Sequence, residues 1–364
     1  VTRRLRVAVD ARSLLRSQPR GEGKTLLRLY QEIARLRPDA EVLFFGDDQT
    51  RDYQGTLPPG CRAIGLPTVT HRVDVWEDVL FPAAALVQRC RVMHCASSSA
   101  PRFAPLPVLL TVHDLIPLVF DDGHSPGERE RFRLRLARAL RAASAIVTVS
   151  ESTKRDLQRC FADLRTPVHV ARWGCDLPAP PSDAIRQPPM LLAFGGEARR
   201  KNTDYVLDRF ESAAAAVPGL RLTLVGITSA RQRQRVIHRL EVVGLTDQVD
   251  LPGFVSEDEL AEMWQRACAL LYPSLYEGFG MPVVEAIAQG VPVIASDHSS
   301  LPEVLCGARG TFPLDAPRRV EHATVCLATD AEARRAMVLE QQAATRTLDW
   351  AETARIHLSL LQSL

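Results

Sequence analysis

The feature that most limits how this chain can fold is an alternation that runs twice. Short apolar runs of strand length occur at 5–11, 41–46, 91–97, 108–115, 144–150 and 168–174. Segments with helical patterning fall between several of them, near 24–36, 74–89, 126–142 and 152–161. Strands that are apolar on both faces belong to parallel sheets covered by helices on each side. The pattern breaks at CDLPAPPSDAIRQPP (175–189), whose five prolines stiffen an extended segment and exclude helix. It then restarts at 190–196, 221–226, 249–254, 269–274 and 291–296. The expected class is α/β, with two doubly wound parallel-sheet domains. The expected boundaries are 1–175 for the first domain, 176–189 for a linker and 190–345 for the second domain. The segment 346–364 is expected to be an amphipathic helix packing back on the first domain. A chain of 364 residues is long enough for two such cores.

Composition removes several classes of function. No apolar run reaches the roughly 18 residues of a membrane span. The opening VTRRLRVAVDARSLL looks like a weak signal peptide, but Arg6, Asp10 and Arg12 interrupt it and it alternates like a strand, so a cytoplasmic protein is expected. None of the eight cysteines forms a C-x-x-C pair, which argues against a zinc ribbon or a redox couple and suits a reducing compartment. A formal net charge of +2 argues against nucleic acid as a partner. The charge is uneven. Residues 1–175 hold 27 Lys+Arg against 19 Asp+Glu, and the remainder 18 against 24, so the first half favours an anionic partner or surface. Lys24, Lys154 and Lys201 are the only lysines among 45 basic residues.

Two segments carry chemistry. In YEGFGMPVVEAIAQG (276–290) a buried strand gives way to a turn at Gly278, Phe279 and Gly280, and then to a helix opened by Met281 and Pro282. Glu277 falls in the turn and Glu285 in or just past the first helical turn. Backbone N–H groups at such a helix start attract anions. Carboxylates beside a phosphate-sized site suit recognition of sugar or ribose hydroxyls. Taken alone, the same spacing equally fits a solvated Glu277 and a Glu285 that merely complements the helix dipole. The second segment, GGEARRKNTDYVLDRF (195–210), also runs from strand through glycines into helix. It sets Arg199, Arg200 and Lys201 at the turn, with Asn202 or Thr203 as the cap. Cations are disfavoured at a helix N-terminus, so three in a row call for a compensating anion, and a diphosphate matches their chemistry.

These motifs, with LPGFVSEDEL (251–260) and the HD of TVHDLIPL (111–118), resemble the retaining glycosyltransferases of family 4, which have the two-domain GT-B fold. VDAR (9–12) and VWEDVLFP (75–82) add a likeness to bacterial mannosyl- and rhamnosyltransferases of cell-surface polysaccharide synthesis. The resemblance implies transfer of a sugar from a nucleoside-diphosphate donor, GDP-linked by preference, to a saccharide or polyprenyl-linked acceptor. By the same resemblance Glu277 contacts the donor sugar, helped by the backbone of Gly278–Met281, and Glu285 binds the ribose. Lys201 and Arg200 hold the diphosphate, the loop with Phe254 and Val255 borders the base, and His113 faces the sugar near the reaction centre. The subgroup's glycine-rich acceptor-side loop falls at RGEGKTLL (20–27), where Gly21 and Gly23 keep the small residues but Glu22 and Lys24 depart from the pattern.

No D-x-D triplet or H-E-x-x-H occurs, so no metal and no cofactor are expected. GEGKT (21–25) prompts a phosphate-loop reading, but Gln18 stands where that loop needs glycine. A sugar-nucleotide epimerase on the same fold remains an alternative. So does a non-catalytic, membrane-associated partner subunit, prompted by the arginine-rich helix at 127–144 with Phe132, Leu136 and Leu140, which peripheral contact with an anionic bilayer would use.

Overall fold

The computed structural model describes residues 5–16, 21–48, 50, 53–67, 75–176 and 188–364. The chain divides into two units. The first comprises residues 1–119, 124–174 and 348–364, and the second comprises 120–123 and 175–347. Most of the expected proline-rich linker, 177–187, lies outside the described residues.

The first unit is built on a seven-stranded parallel sheet. Its strands are β1 (Arg6–Asp10), β2 (Glu41–Gly46), β3 (Cys61–Gly65), β4 (Val92–Cys95), β5 (Val108–Val112), β6 (Ala145–Thr148) and β7 (Val168–Val170), in the order β3-β2-β1-β4-β5-β6-β7. β1, β4, β5 and β6 are buried almost throughout, which is why they read as continuous apolar runs. The helix Gly21–Leu36 lies beside the terminal helix Trp350–Ser363 in this unit. The arginine-rich helix Pro126–Ala142 is held at its start by Ser125 and Glu128, each bonding the other's backbone N–H. Its Leu136 and Leu140 are buried in the core, with Phe132 packed against it. The apolar stripe that would have entered a bilayer is therefore spent on the sheet.

The second unit carries β8 (Met190–Phe194), β9 (Arg221–Val225), β10 (Val249–Gly253), β11 (Ala267–Tyr272), β12 (Val293–Ser296) and β13 (Thr311–Phe312), all parallel, in the order β10-β9-β8-β11-β12-β13. In each unit the order reverses beside the first strand, between β1 and β4 and between β8 and β11. Doubly wound sheets bind ligands outside the strands' carboxyl ends at that reversal.

Three local expectations are corrected. The segment 74–89 is not one regular helix: Trp76–Leu80 is wound as a π-helix before an α-helix resumes at Phe81–Val87. Gly21 and Gly23 sit in the first turn of a helix rather than in a loop before it. A Cβ on Gly23 would come within 2.3 Å of the Ser13 carbonyl oxygen, so that glycine serves close packing on the turn after β1. SLPEV (300–304) forms no capping box, because the Ser300 hydroxyl turns back to donate to the carbonyls of Glu277 and Phe279.

Candidate active site

The second unit gathers its charged motif residues at the β8/β11 reversal. β8 ends at Phe194, and the chain passes through Gly195 and Gly196 into a 3-10 turn, Arg199–Lys201. Asn202 then takes a left-handed conformation, φ 54°, and the helix Thr203–Ala216 begins. Asn202 takes the N-cap position as expected, but no side chain makes a capping bond there. The Asn202 amide donates to the Pro273 carbonyl (3.2 Å), and Thr203 Oγ1 turns to Gly196. These bonds tie the basic turn to the segment leaving β11, as does the Leu275 N–H, which donates to the Arg200 carbonyl (2.7 Å).

Glu277 is the centre of this assembly and is 9% exposed, so it is not a solvated carboxylate. Its Oε1 accepts from Lys201 Nζ (2.7 Å), Tyr272 Oη (2.7 Å) and Ser274 Oγ (2.8 Å). The Arg200 guanidinium donates to both carboxylate oxygens at 3.2 Å. Burial alone would raise the Glu277 pKa, but Lys201 and Arg200 outweigh it and hold the carboxyl below its ordinary range. Lys201 also donates to Tyr272 Oη (2.9 Å), and its ammonium lies 5.0 Å from that ring's centroid. The structure thus joins Lys201, Arg200 and Glu277 directly, where the sequence suggested separate anion and hydroxyl sites.

The loop that carries Glu277 is fixed from behind. Its backbone N–H donates to Ser299 Oγ (2.9 Å), and Ser300 holds the next carbonyls. Gly280 has φ +110°, where a side chain is strained, and a Cβ there would also meet Leu301 at 2.8 Å. The helix Met281–Ala288 starts immediately after, with Met281 and Pro282 at its first positions and Glu285, half-buried, as its fifth residue. Phe279 is buried, and its carbonyl accepts from Ser300 Oγ (2.8 Å). Phe254, just past β10, is 59% exposed and Val255 is half-buried. Arg199 is drawn away to Asp121 Oδ2 (2.7 Å).

A cavity of about 580 Å³ adjoins this cluster, lined in part by Gly196, Arg199, Asn202, Asp204, Gln232 and Arg235. Among the described residues no three His, Cys, Asp or Glu side chains converge on a metal position.

The first unit holds the other motif residues. His113 follows β5, and its Nε2 lies 2.6 Å from the Ala96 carbonyl oxygen, to which it donates. Its ring sits 5.9 Å from that of Trp173. VDAR and VWEDVLFP meet: Arg12 pairs with Asp10 (2.6 Å) and with Glu77 (2.8 Å), and its guanidinium lies 4.1 Å over the Trp76 ring. Sequence reasoning missed Tyr272, Ser274, Ser299, Ser300 and Asp122. Only Tyr272 and Ser274, closing a buried strand just before Glu277, gave a local hint.

Comparison with known proteins decides the lineage. The family model described as Glycosyltransferase Family 4 matches residues 19–178, and that described as Glycosyl transferases group 1 matches 180–312. The chain belongs to the family 4 glycosyltransferases. Curated proteins that resemble it include O-antigen chain mannosyltransferase B of Escherichia coli, 28% identical over 54% of this chain and 54% of that protein. Another is the serotype-specific mannosyltransferase WbdA of Escherichia coli, 24% identical over 71% of this chain and 34% of that protein. The chain's match thus spans about half or less of the length of these relatives. Solved structures agree on the GT-B fold. The sucrose-phosphate synthase of Thermosynechococcus elongatus superposes with a TM-score of 0.75 at 18% identity, covering 99% of both chains. The glycosyltransferase WaaG, described as involved in lipopolysaccharide biosynthesis, gives 0.68 at 16%, covering 98% of this chain and 99% of its own.

Proposed function

We propose that this family 4 glycosyltransferase moves mannose or rhamnose from a GDP-linked donor to a saccharide or polyprenyl-linked saccharide acceptor in cell-surface polysaccharide synthesis. The transfer retains the anomeric configuration and needs no metal ion. The observation that carries the reading is the buried Glu277 bonded to Lys201 and Arg200 at the reversal point of the six-stranded sheet. The mannosyltransferase relatives support the choice of sugar.

In this reading Lys201 and Arg200 hold the diphosphate, and the start of the helix Met281–Ala288 adds its positive end. Glu277 then accepts from sugar hydroxyls, Glu285 from the ribose, and the loop with Phe254 and Val255 borders the base. On the family resemblance alone, His113 serves the sugar. The anomeric carbon's bond to phosphate oxygen breaks with its electron pair going to the diphosphate. The acceptor oxygen forms the new glycosidic bond on the same face and passes its proton to the departing phosphate. Cations fixed in place before reaction stabilise that growing charge without reorganising.

We also place the protein in the cytoplasm. All eight cysteines are free, as a reducing compartment allows. No helix among the described residues is long and apolar enough to cross a membrane. The exposed Arg131 and Arg141 offer contact with anionic lipid by charge alone, which salt would abolish in liposome co-sedimentation.

The test is incubation with GDP-mannose, GDP-rhamnose and UDP-glucose in EDTA, with candidate saccharide acceptors, and NMR of the product. A new α-linkage from a GDP-α-linked donor is expected. Free epimerised sugar, or transfer that stops in EDTA and returns with magnesium or manganese, would refute the reading.

A further inference from the structure

Residues 120–123 group with the second unit, and they bring two acids onto the basic turn. Asp122 Oδ1 accepts from the Arg200 backbone N–H (3.0 Å), and its Oδ2 lies 3.2 Å from Arg200 Nε. The Asp122 side chain is 7% exposed and that of Arg200 21%. The neighbouring pair, Asp121 with Arg199, is 67% exposed on both sides. Phe120 anchors the segment by stacking on Tyr276, with ring centroids 6.4 Å apart.

The charge balance gives this contact its meaning. Arg200 and Lys201 supply two positive charges, and Asp122 and Glu277 cancel them within hydrogen-bonding range. A diphosphate entering that quartet meets no net attraction until a carboxylate gives up its cation. Glu277 is held by Tyr272, Ser274 and Lys201 besides Arg200, whereas among the described residues the Asp122 carboxylate bonds and ion-pairs with Arg200 and acts on Lys201 only through its charge. The Arg200–Asp122 side-chain contact also lacks hydrogen-bond geometry, which leaves the buried Arg200 Nε without a hydrogen-bond partner among the described residues. It is the weaker of the two pairs.

We propose that Asp122 is a resident counter-ion of the donor site, which the ligand's diphosphate displaces from Arg200. It keeps the buried guanidinium compensated between turnovers, at the expense of affinity, and so sets how strongly diphosphates bind. This rests on the reading that Arg200 and Lys201 receive the diphosphate.

The experiment is calorimetric titration of inorganic pyrophosphate, GDP and UDP into the wild type, Asp122→Asn and Asp121→Asn. Asparagine keeps the oxygen that accepts from the Arg200 N–H, and thermal midpoints confirm folding. Pyrophosphate should bind Asp122→Asn about threefold to tenfold more tightly than wild type, the scale of one partly exposed ion pair. Asp121→Asn, whose pair is solvated, should change affinity by less than about twofold. Unchanged or weaker pyrophosphate binding by Asp122→Asn, or no binding by any of the three proteins, overturns the proposal. If pyrophosphate tightens as expected while neither nucleotide binds, the counter-ion stands and the nucleotide-donor reading falls.

Discussion

Two buried clusters, one in each unit, treat titratable side chains in opposite ways. In the first unit His94 lies between Tyr30 Oη and Thr111 Oγ1, each at 2.8 Å, and His357 bonds the Thr353 carbonyl through Nδ1 (2.8 Å). The two rings lie 5.7 Å apart, and Trp173 stacks on His357. Burial pulls His94 well below its ordinary pKa and His357 down to about 4, so both are neutral at pH 7. In the second unit the buried Glu277 and the half-buried Lys201, Arg200 and Asp122 are ions that compensate one another. Neutral groups can be hydrogen-bonded permanently by their neighbours and then serve packing. Buried ions must have counter-charges, and a counter-charge can be exchanged for one on a ligand. That exchangeability is what the proposed function asks of the second cluster.

The contrast predicts where substitutions act. The largest effect belongs to the ion cluster: Lys201→Ala and Glu277→Gln should each lower sugar transfer by about 10²-fold or more, as loss of a fixed electrostatic partner does elsewhere. Circular dichroism should show both variants folded. Near wild-type turnover in either would remove the distinction.

The histidine cluster should act on stability instead. The folded pKa of His357, about 4, lies below its ordinary 6.5, so the unfolded chain takes up a proton first as pH falls. Stability is complete above pH 6.5 and drains away toward pH 4, by roughly 3 kcal/mol for this residue. Urea titrations read by tryptophan fluorescence should show that slope, and His357→Phe should reduce it, leaving the share of His94. An equal slope in the variant would contradict the assignment.

Smaller effects test the supports. Ser300→Ala leaves two buried carbonyls of the Glu277 loop without their donor and should cost about 1–2 kcal/mol together with part of the turnover. Ser256→Ala removes the capping box of the helix Glu257–Arg266, which contributes no residue to the ion cluster. It should cost about 1 kcal/mol with kcat unchanged. Chemical denaturation beside steady-state kinetics separates the two.

The sequence made buried strands and charges at glycine turns legible and hid contacts between residues far apart in the chain. Buried strands such as β5 and β11 announce themselves because nearly every residue is apolar. β3 escaped notice because none of its residues is fully buried, so CRAIG carries no apolar run, and β13 has only two residues. Arg199–Lys201 and Glu277 stood out as charges at glycine turns before helices, where local physics demands a reason for them. Ser299, Ser300 and Asp122 did not, because their partners lie 21 to 78 positions away in the chain. Spacing even misled at SLPEV, where the serine's better acceptors were distant carbonyls rather than its own helix.

The most direct test of the central claim is a crystal structure with GDP bound. Phosphate oxygens within hydrogen-bonding distance of Lys201 Nζ and the Arg200 guanidinium, with Asp122 withdrawn from Arg200, are predicted. A nucleotide bound elsewhere, with the Lys201–Glu277 and Arg200–Asp122 contacts intact, would contradict the account.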